Sequence, residues 1–285
     1  MVKRIITCIT CIGVLSILLF SCKTESSIPK TDNTVDTNNL SSQVIAGKLN
    51  GLFSVSKTKK VQFSQGNLQY QASTNTWRFA ENQWDFCGKN NENISPTYDD
   101  WIDLFGWGTG DNPTKHSKNN NDYRSYTDWG ESLLSNSANI WHNLTIEEGE
   151  YVFDRRNTDS GIRFVKAVVN NVNGIILFPD DWEVNMYELT NINNSSSSFL
   201  SNNISKNDWI GSFETNGAVF LPAAGYREYD ITSFINVSGE YWSSSCHDYR
   251  DNSIYRVFFN NAYLNTCYFH FACTGLSVRL VSDAE

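Results

Sequence analysis

Positive charge is scarce in this chain of 285 residues. Lys and Arg total 22 against 31 Asp and Glu, which leaves a formal net charge of −9. Proteins that bind nucleic acid or dock on anionic lipid need a basic surface, so the sequence argues against both classes. Long apolar runs are also lacking. The most apolar stretch, Ile5–Phe20, has the length of a signal peptide and is short for a membrane span, which needs about 20 residues.

The end of this stretch predicts a lipid anchor. Leu19-Phe20-Ser21-Cys22 resembles the bacterial lipobox. The resemblance implies a lipoprotein signal peptide at 1–21 and lipidation of Cys22. The alternatives are an ordinary secretory peptide and a short anchor helix. We expect an outer-membrane lipoprotein exposed at the cell surface, with a charge of −11 once the two basic residues of the signal peptide are removed.

The segment after the lipobox is polar. Residues 22–43 are rich in Ser, Thr, Asn and Asp and nearly free of large apolar side chains, so they predict a flexible tether. Residues 44–285 are long enough for one domain with a sizeable core.

Few cysteines remain in the predicted mature chain. Beyond Cys22 they are Cys87, Cys246, Cys267 and Cys273. In an oxidising envelope they would allow two disulfides with three connectivities, and a free thiol at Cys87 is equally compatible with its distance from the others. Cys8 and Cys11 leave with the signal peptide and are not expected to bind metal.

Short alternating segments predict strands in the domain, at 51–55, 60–63, 66–70, 76–79, 162–169, 174–178, 218–222, 241–245 and 277–281. A helix is predicted at Asp128–Ser135, and a second begins at the capping box Thr145–Glu148. Gly149 inside the second helix should cost about 1 kcal/mol relative to Ala. Residues 99–110 predict a packed loop, and the Ser/Asn-rich residues 191–207 another loop. Strands, two helices and strands again indicate an α+β domain with short antiparallel strands.

The C-terminal interval 246–276 carries large and irregular side chains between two ordinary strand ends. This mixture on a regular frame is typical of a recognition surface. The candidate ligand-binding residues are His247, Asp248, Tyr249, Arg250, Arg256, Phe258, Tyr263, Tyr268, Phe269, His270 and Phe271. If Tyr255, Val257 and Phe259 pack inward, strand alternation turns Arg256 and Phe258 outward. Exposed aromatic and Arg side chains dominate binding energy at such surfaces.

Seven ordered segments are distinctive: VQFSQGNLQYQASTNTWRFAENQWDF, WIDLFGWGTG, NLTIEEGEYVF, NGIILFPDDW, VFLPAAGYRE, YWSSS and SVRLV. Together they resemble a large family of bacterial secreted lipoproteins related to the Fibrobacter succinogenes major paralogous domain. The resemblance covers about residues 51–281. It implies the C-type-lectin-like fold, which also includes the formylglycine-generating enzymes. Family members carry an aromatic residue, usually Trp, where this chain has Gly149, so we expect a looser start of the second helix.

The ends YWSSS and SVRLV also resemble the variable proteins of diversity-generating retroelements. In those proteins an error-prone reverse transcriptase rewrites a C-terminal stretch at template adenines, and the changed residues bind varied ligands. The resemblance implies a diversified binding surface over 246–276, and the alternative is a paralogue whose loops have drifted. We expect a non-enzymatic, adhesin-like or lectin-like module without a cofactor. Its ligand would be an extracellular glycan, a surface protein of another cell or a phage.

Catalytic sites fit the same residues less well. The alternative function is a copper-dependent oxidase of the formylglycine-generating type. Those enzymes use a copper-binding cysteine pair, and Cys267 and Cys273 would be the corresponding pair here. The basic and aromatic motif around that pair is not recognisable here. Cys246 and His247 point to opposite faces of a strand and so do not make a nucleophile and base. Cys267 and His270 with His247 form only a weak zinc pattern.

Other chemistries lack their motifs. Calcium-dependent sugar binding would need a Glu-Pro-Asn or Gln-Pro-Asp loop and Trp-Asn-Asp, none of which occurs, so any glycan binding is expected to be independent of a metal. Asp180-Asp181 follows a strand as a turn and Glu147-Glu148 caps a helix, so no general acid–base pair is assigned. A passive coat protein is a third alternative. In such a protein, replacing Tyr249, Arg256 or Tyr263 by Ala would cause no loss of adhesion.

Overall fold

The computed structural model describes residues 47–133, 141–183, 187–248 and 253–284, without the side chains of Ser132 and Asp248. These residues lie within one compact unit, Asn38–Glu285. They form small, mostly antiparallel sheets with a few short helices, which confirms the predicted α+β class. No helix in these ranges is long and apolar enough to cross a membrane. The predicted signal peptide and Cys22 lie outside the described residues, as does the tether.

Fifteen strands are present in these ranges. They are β1 (Phe53–Ser54), β2 (Lys60–Phe63), β3 (Leu68–Gln71), β4 (Thr76–Phe79), β5 (Trp101–Ile102), β6 (Phe164–Val169), β7 (Val172–Leu177), β8 (Asn203–Ile204), β9 (Val219–Pro222), β10 (Tyr226–Glu228), β11 (Ile231–Ser233), β12 (Ser238–Asp248), β13 (Ser253–Asn260), β14 (Leu264–Phe271) and β15 (Val281–Asp283). The sheet orders are β1-β2-β15, β4-β3-β5, β8-β6-β7-β9, β10-β11 and β12-β13-β14. All neighbours are antiparallel except β6 and β8.

The helices are short. In the described ranges the α-helices are α1 (Trp129–Ser132), α2 (Ile146–Glu150) and α3 (Lys206–Asp208), and the last two continue as π-helical turns, Tyr151–Arg155 and Trp209–Glu214. Short 3₁₀ helices lie at Gly88–Asn93, Asn120–Tyr123 and Phe199–Ser201. The prediction of only two helices is wrong, because α3 begins inside the segment that we predicted as a loop. Its signal was the buried pair Trp209 and Phe213, which are four residues apart and share one helix face.

Side-chain caps start both predicted helices where the sequence placed them. Asp128 accepts a hydrogen bond from the N–H of Gly130 at 2.8 Å before α1. Thr145 accepts from the N–H of Glu148 at 3.2 Å, and the carboxylate of Glu148 accepts from the N–H of Thr145 at 3.0 Å. The capping box is therefore confirmed. Both of its hydrogen bonds are formed although Gly149 stands where an aromatic residue was expected to tighten the start of α2.

The β6–β7 hairpin turns on two residues. Asn170 and Asn171 have φ of 48° and 67°, the left-handed region that Asn tolerates better than most side chains and that a tight hairpin needs. The hairpin itself was predicted from the sequence. Its turn is shorter than the expected 170–173, since Val172 and Asn173 already pair in β7.

The strand β12 separates two apolar clusters of the core. Tyr241 packs in one cluster with Val152 and Phe153 of the π-helical turn after α2, and its hydroxyl donates to the carbonyl of Pro222 at 2.9 Å. Its neighbour Trp242 packs in the other, and its indole donates to the carbonyl of Phe105 at 2.7 Å. Trp107 likewise donates to the carbonyl of Ser243 at 3.0 Å. These bonds confirm that the segment 99–110 is packed, although Trp101–Ile102 within it forms β5 instead of loop.

A carboxylate in the predicted turn after β7 holds three segments together. Asp180 forms ion pairs with Lys60 and Arg156, each at 3.1 Å, and accepts a hydrogen bond from the hydroxyl of Ser54 at 2.6 Å. Burial acts to raise the pKa of Asp180, but these partners hold that pKa below its usual value. Arg156 also donates to the carbonyl of Val152 at the end of α2. Asp180 therefore has a structural role.

We predict that Gly149→Ala stabilises the domain. Gly149 is buried in α2, and a Cβ there would meet only Cγ2 of Val257, at 3.9 Å, beside a cavity of about 40 Å³. Because Ala is the better helix former, the free energy of unfolding should rise by about 1 kcal/mol in urea denaturation. The matched control is Gly130→Ala in α1, where the Cβ would lie 1.9 Å from the carbonyl oxygen of Trp141. It should destabilise, and a loss of stability in both variants would contradict the prediction.

Candidate functional site

The described candidate binding residues lie on the sheet β12-β13-β14, with Tyr263 in the turn between β13 and β14. Within the described residues β14 has a strand neighbour on one side only, so it is an edge strand. α2 packs against all three strands of this sheet. Tyr249 and Arg250 lie outside the described residues, and so does the side chain of Asp248.

A continuous row of rings crosses this sheet and wraps around its edge strand. We call this row the aromatic strip, and in order of contact its members are Tyr263, Phe258, Tyr268, Phe269, His247 and Tyr255. The centres of successive rings are 5.3, 5.9, 5.8, 4.9 and 5.0 Å apart. Tyr263, Tyr268 and Phe269 are 46, 41 and 50% exposed. Single exposed apolar side chains are common, but a contiguous row of this kind marks an interaction surface.

The expectation that Arg256 faces solvent is wrong. Its side chain is buried and forms an ion pair with Glu240 of β12, which is also buried. The guanidinium carbon lies 4.9 and 5.1 Å from the ring centres of Phe258 and Tyr268. Burial lowers the pKa of Arg256 to about 10, so it remains charged at neutral pH. Arg256 therefore supports two rings of the strip from beneath.

The error has a physical reason in the position of β13. A single buried face would alternate along the strand, but β13 is the central strand and both of its faces are partly covered. Phe259 is buried as predicted, whereas Tyr255 and Phe258 are each half-buried. Alternation by itself does not show which face of such a strand reaches solvent.

His270 lies at the end of β14 and is half-buried. Its Nδ1 accepts from the N–H of Phe271 at 2.9 Å, and the hydroxyl of Thr274 lies 2.8 Å from the same nitrogen. Because a backbone N–H only donates, Nδ1 carries no proton in this arrangement. Burial and the charge of Arg256 lower the pKa of His270 to about 4. Phe271 is exposed and borders an open pocket of about 350 Å³.

Aromatic residues of the β10-β11 hairpin, and the aromatic residue directly after it, were not among the predicted binding residues. Tyr226 lies 5.9 Å from His270 and stacks on Phe234 at 5.8 Å between ring centres, and Phe234 is exposed. Phe234 and Tyr229 both have φ of 56°, which is rare for bulky side chains. No pattern in the sequence links this hairpin to β14, because the link is a contact between distant segments.

The edge of β14 is partly closed to an added strand. The N–H of Cys267 donates to Oδ1 of Asn265 at 2.9 Å, and the N–H of Phe271 donates to the His270 ring. Both donors are satisfied by side chains of their own strand. Since strand addition relies on free backbone groups, we expect a ligand to contact the side chains of the strip instead.

The cysteines of the alternative sites have different neighbours. The thiol of Cys267 lies near Glu150 of α2, whereas Cys273 lies near Arg227 and Glu228. Burial is the main cause that raises the pKa of each of these two thiols. No disulfide links Cys87, Cys267 and Cys273, and no group of three potential metal ligands occurs in the described part of the chain.

Cys246 and His247 have different neighbours, as their predicted orientation on a strand requires. Cys246 packs on the cluster that contains Trp242, whereas His247 is exposed and stacks on Phe269. The two side chains therefore point to opposite faces of β12.

We predict strong coupling between Arg256 and Glu240. Arg256→Leu leaves a buried carboxylate without its partner and should lower the free energy of unfolding by about 3–5 kcal/mol. The double variant Arg256→Leu/Glu240→Leu removes both charges and should lose clearly less than the two single variants together. The measurement is urea denaturation at pH 7, with Arg124→Leu at an exposed site as the control. Additive losses would show that the two charges are not coupled.

We predict that His270 weakens the fold in acid. Its pKa is about 4 in the folded state against a usual value of 6.5, so the unfolded chain takes up the proton first. The contribution of neutral His270 to the free energy of unfolding is complete above pH 6.5 and is lost as the pH falls towards 4. In His270→Gln the free energy of unfolding should therefore fall less steeply between pH 6.5 and 4 than in the wild type. Equal slopes in denaturation series across this range would refute the assignment.

Comparison with known proteins yields no relative. No family model, curated protein or solved structure matches this chain. The function has to be argued from the geometry of the site.

Proposed function

We propose that this protein is a surface-anchored lipoprotein whose domain, of the C-type-lectin-like class, binds an extracellular ligand through the aromatic strip. The observation that carries the proposal is the contiguous row of six rings, four of them exposed, on an ordered sheet. Exposed aromatic side chains bury a large area for little loss of side-chain freedom, which is why they dominate binding energy at recognition surfaces.

The frame beneath the strip supports this role. Arg256 stacks against Phe258 and Tyr268, and the buried Glu240 holds Arg256 in place. Rings that are already ordered before binding lose less conformational entropy when a ligand arrives. The strip is therefore a preorganised surface.

The remaining parts of the proposal rest on the sequence. Lipidation at Cys22 and the polar tether 22–43 would present the domain away from a membrane. The interval 246–276 would be the variable surface that the resemblance to retroelement-diversified proteins implies. The net charge of −9 supports a ligand other than nucleic acid.

A non-enzymatic role fits the surroundings of the cysteines better than the copper-dependent oxidase does. Cys267 and Cys273 have different charged neighbours, and burial favours the thiol over the thiolate at each. Copper(I) is held by thiolates that share one site. The oxidase therefore remains the second candidate.

The experiment presents the full-length chain, in detergent, to a glycan array and to a displayed library of random peptides. In the variant Tyr268→Ser/Phe269→Ser we expect at least about tenfold weaker binding to the ligands that the wild type selects, because two exposed anchors are lost. The control is Leu200→Ser, which removes an apolar side chain that is 80% exposed outside the strip.

Ligands that the double variant loses and the control keeps would support the proposal. Equal binding by all three proteins would place the contact surface elsewhere. A wild type that selects nothing in either screen would favour the passive coat protein.

A further inference from the structure

Two carboxylates lie beside the aromatic strip. Glu147 and Glu150 are three residues apart in α2, a spacing that makes their side chains neighbours on the helix. α2 packs against β13 and β14, which carry the strip residues Tyr255 and Phe269. After burial, the charges of Glu147 and Glu150 are among the causes that raise the pKa of the Tyr255 hydroxyl. Both carboxylates therefore act on this end of the strip.

The positive charges nearby are already engaged. Glu150 pairs with Arg155, and Arg256 pairs with Glu240 beneath the rings. Glu147 is exposed and forms no ion pair with any described residue. Among the residues that the structure describes, the outer side of the strip thus offers aromatic rings and an unpaired carboxylate, without a cation that balances it.

Aromatic rings next to carboxylates suit an ammonium or guanidinium group. The rings attract a cation through their negatively charged faces, and the carboxylate adds an ion pair. The strip already contains one example, since the guanidinium of Arg256 lies about 5 Å from two of its rings. The exposed area of Tyr268 and Phe269 favours apolar groups in the same ligand, because burying apolar surface against apolar atoms is favourable.

We infer that the aromatic strip binds a cationic, apolar segment of a partner protein, with a Lys or Arg side chain placed between Glu147 and the rings of Tyr255 and Phe269. This inference rests on the proposed function and names the class of partner.

Charge also argues against the other occupants. A second copy of this chain would bring the same carboxylates together, and each copy has a net charge of −9. An anionic lipid surface would be repelled for the same reason. A neutral glycan could stack on the rings and donate hydroxyl hydrogen bonds to Glu147, but it would form no ion pair with that carboxylate.

The test uses a displayed library of random peptides selected on the immobilised full-length chain. Selected peptides should be enriched in Lys or Arg next to apolar residues, and their binding should weaken between about 0.05 and 0.5 M salt, where surface charges are screened. Glu147→Lys should weaken this binding about tenfold, because it replaces an attraction by a repulsion. The matched control is Glu131→Lys, another exposed Glu in the first turn of a helix, α1, which should bind like the wild type. Circular dichroism checks that both variants are folded.

The outcomes separate the inference from the proposed function. Peptides without an excess of Lys and Arg, or equal binding by the two charge-reversal variants, would overturn the inference and leave the proposed function standing. The same holds if only glycans bind, or if the chain selects itself as a dimer. No ligand in any screen would overturn both.

Discussion

The structure depends on the way two adjacent side chains of β12 are anchored in different cores. Successive residues of a strand point to opposite faces. Tyr241 therefore packs in the cluster shared with the π-helical turn after α2, and Trp242 packs in the cluster shared with residues 99–110. Each polar tip is satisfied by a backbone carbonyl, of Pro222 or of Phe105. Two buried hydrogen bonds on opposite faces hold the strand in one register, because a slip of one residue would exchange the faces.

The rigid part of the sheet orders the exposed part. The strip residues share their strands with core residues, since Tyr255 and Phe258 lie on β13 between the buried Ile254 and Phe259. The rings are supported by a neighbouring guanidinium whose carboxylate partner is buried with it. Removing such a pair from water costs free energy, but the pair fixes the position of the rings that stack on it. We therefore assign it the role of positioning the rings, and its contribution to the stability of the fold is secondary. Recognition through side chains also agrees with an edge strand whose donors at Cys267 and Phe271 are occupied.

Local patterns were good guides where the physics is local. The capping box at Thr145 and the hairpin at Asn170-Asn171 need only a few consecutive residues, and both are present. Long-range contacts decided the cases that failed. Arg256 is buried because Glu240 of another strand lies against it, and α3 forms because Trp209 finds a place in a cluster that the Ser/Asn-rich segment does not reveal.

By itself the sequence determined the α+β class, the positions of most strands and the concentration of aromatic side chains in the C-terminal interval. These properties follow from hydrophobic periodicity and composition, which are features of neighbouring residues. Only the tertiary structure decided which of those side chains are exposed, that six of the rings form one row, and that Glu147 stands beside it. Exposure and proximity depend on how distant segments pack. In a central strand whose two faces are both partly covered, the alternation of apolar and polar residues does not show which side chains reach solvent.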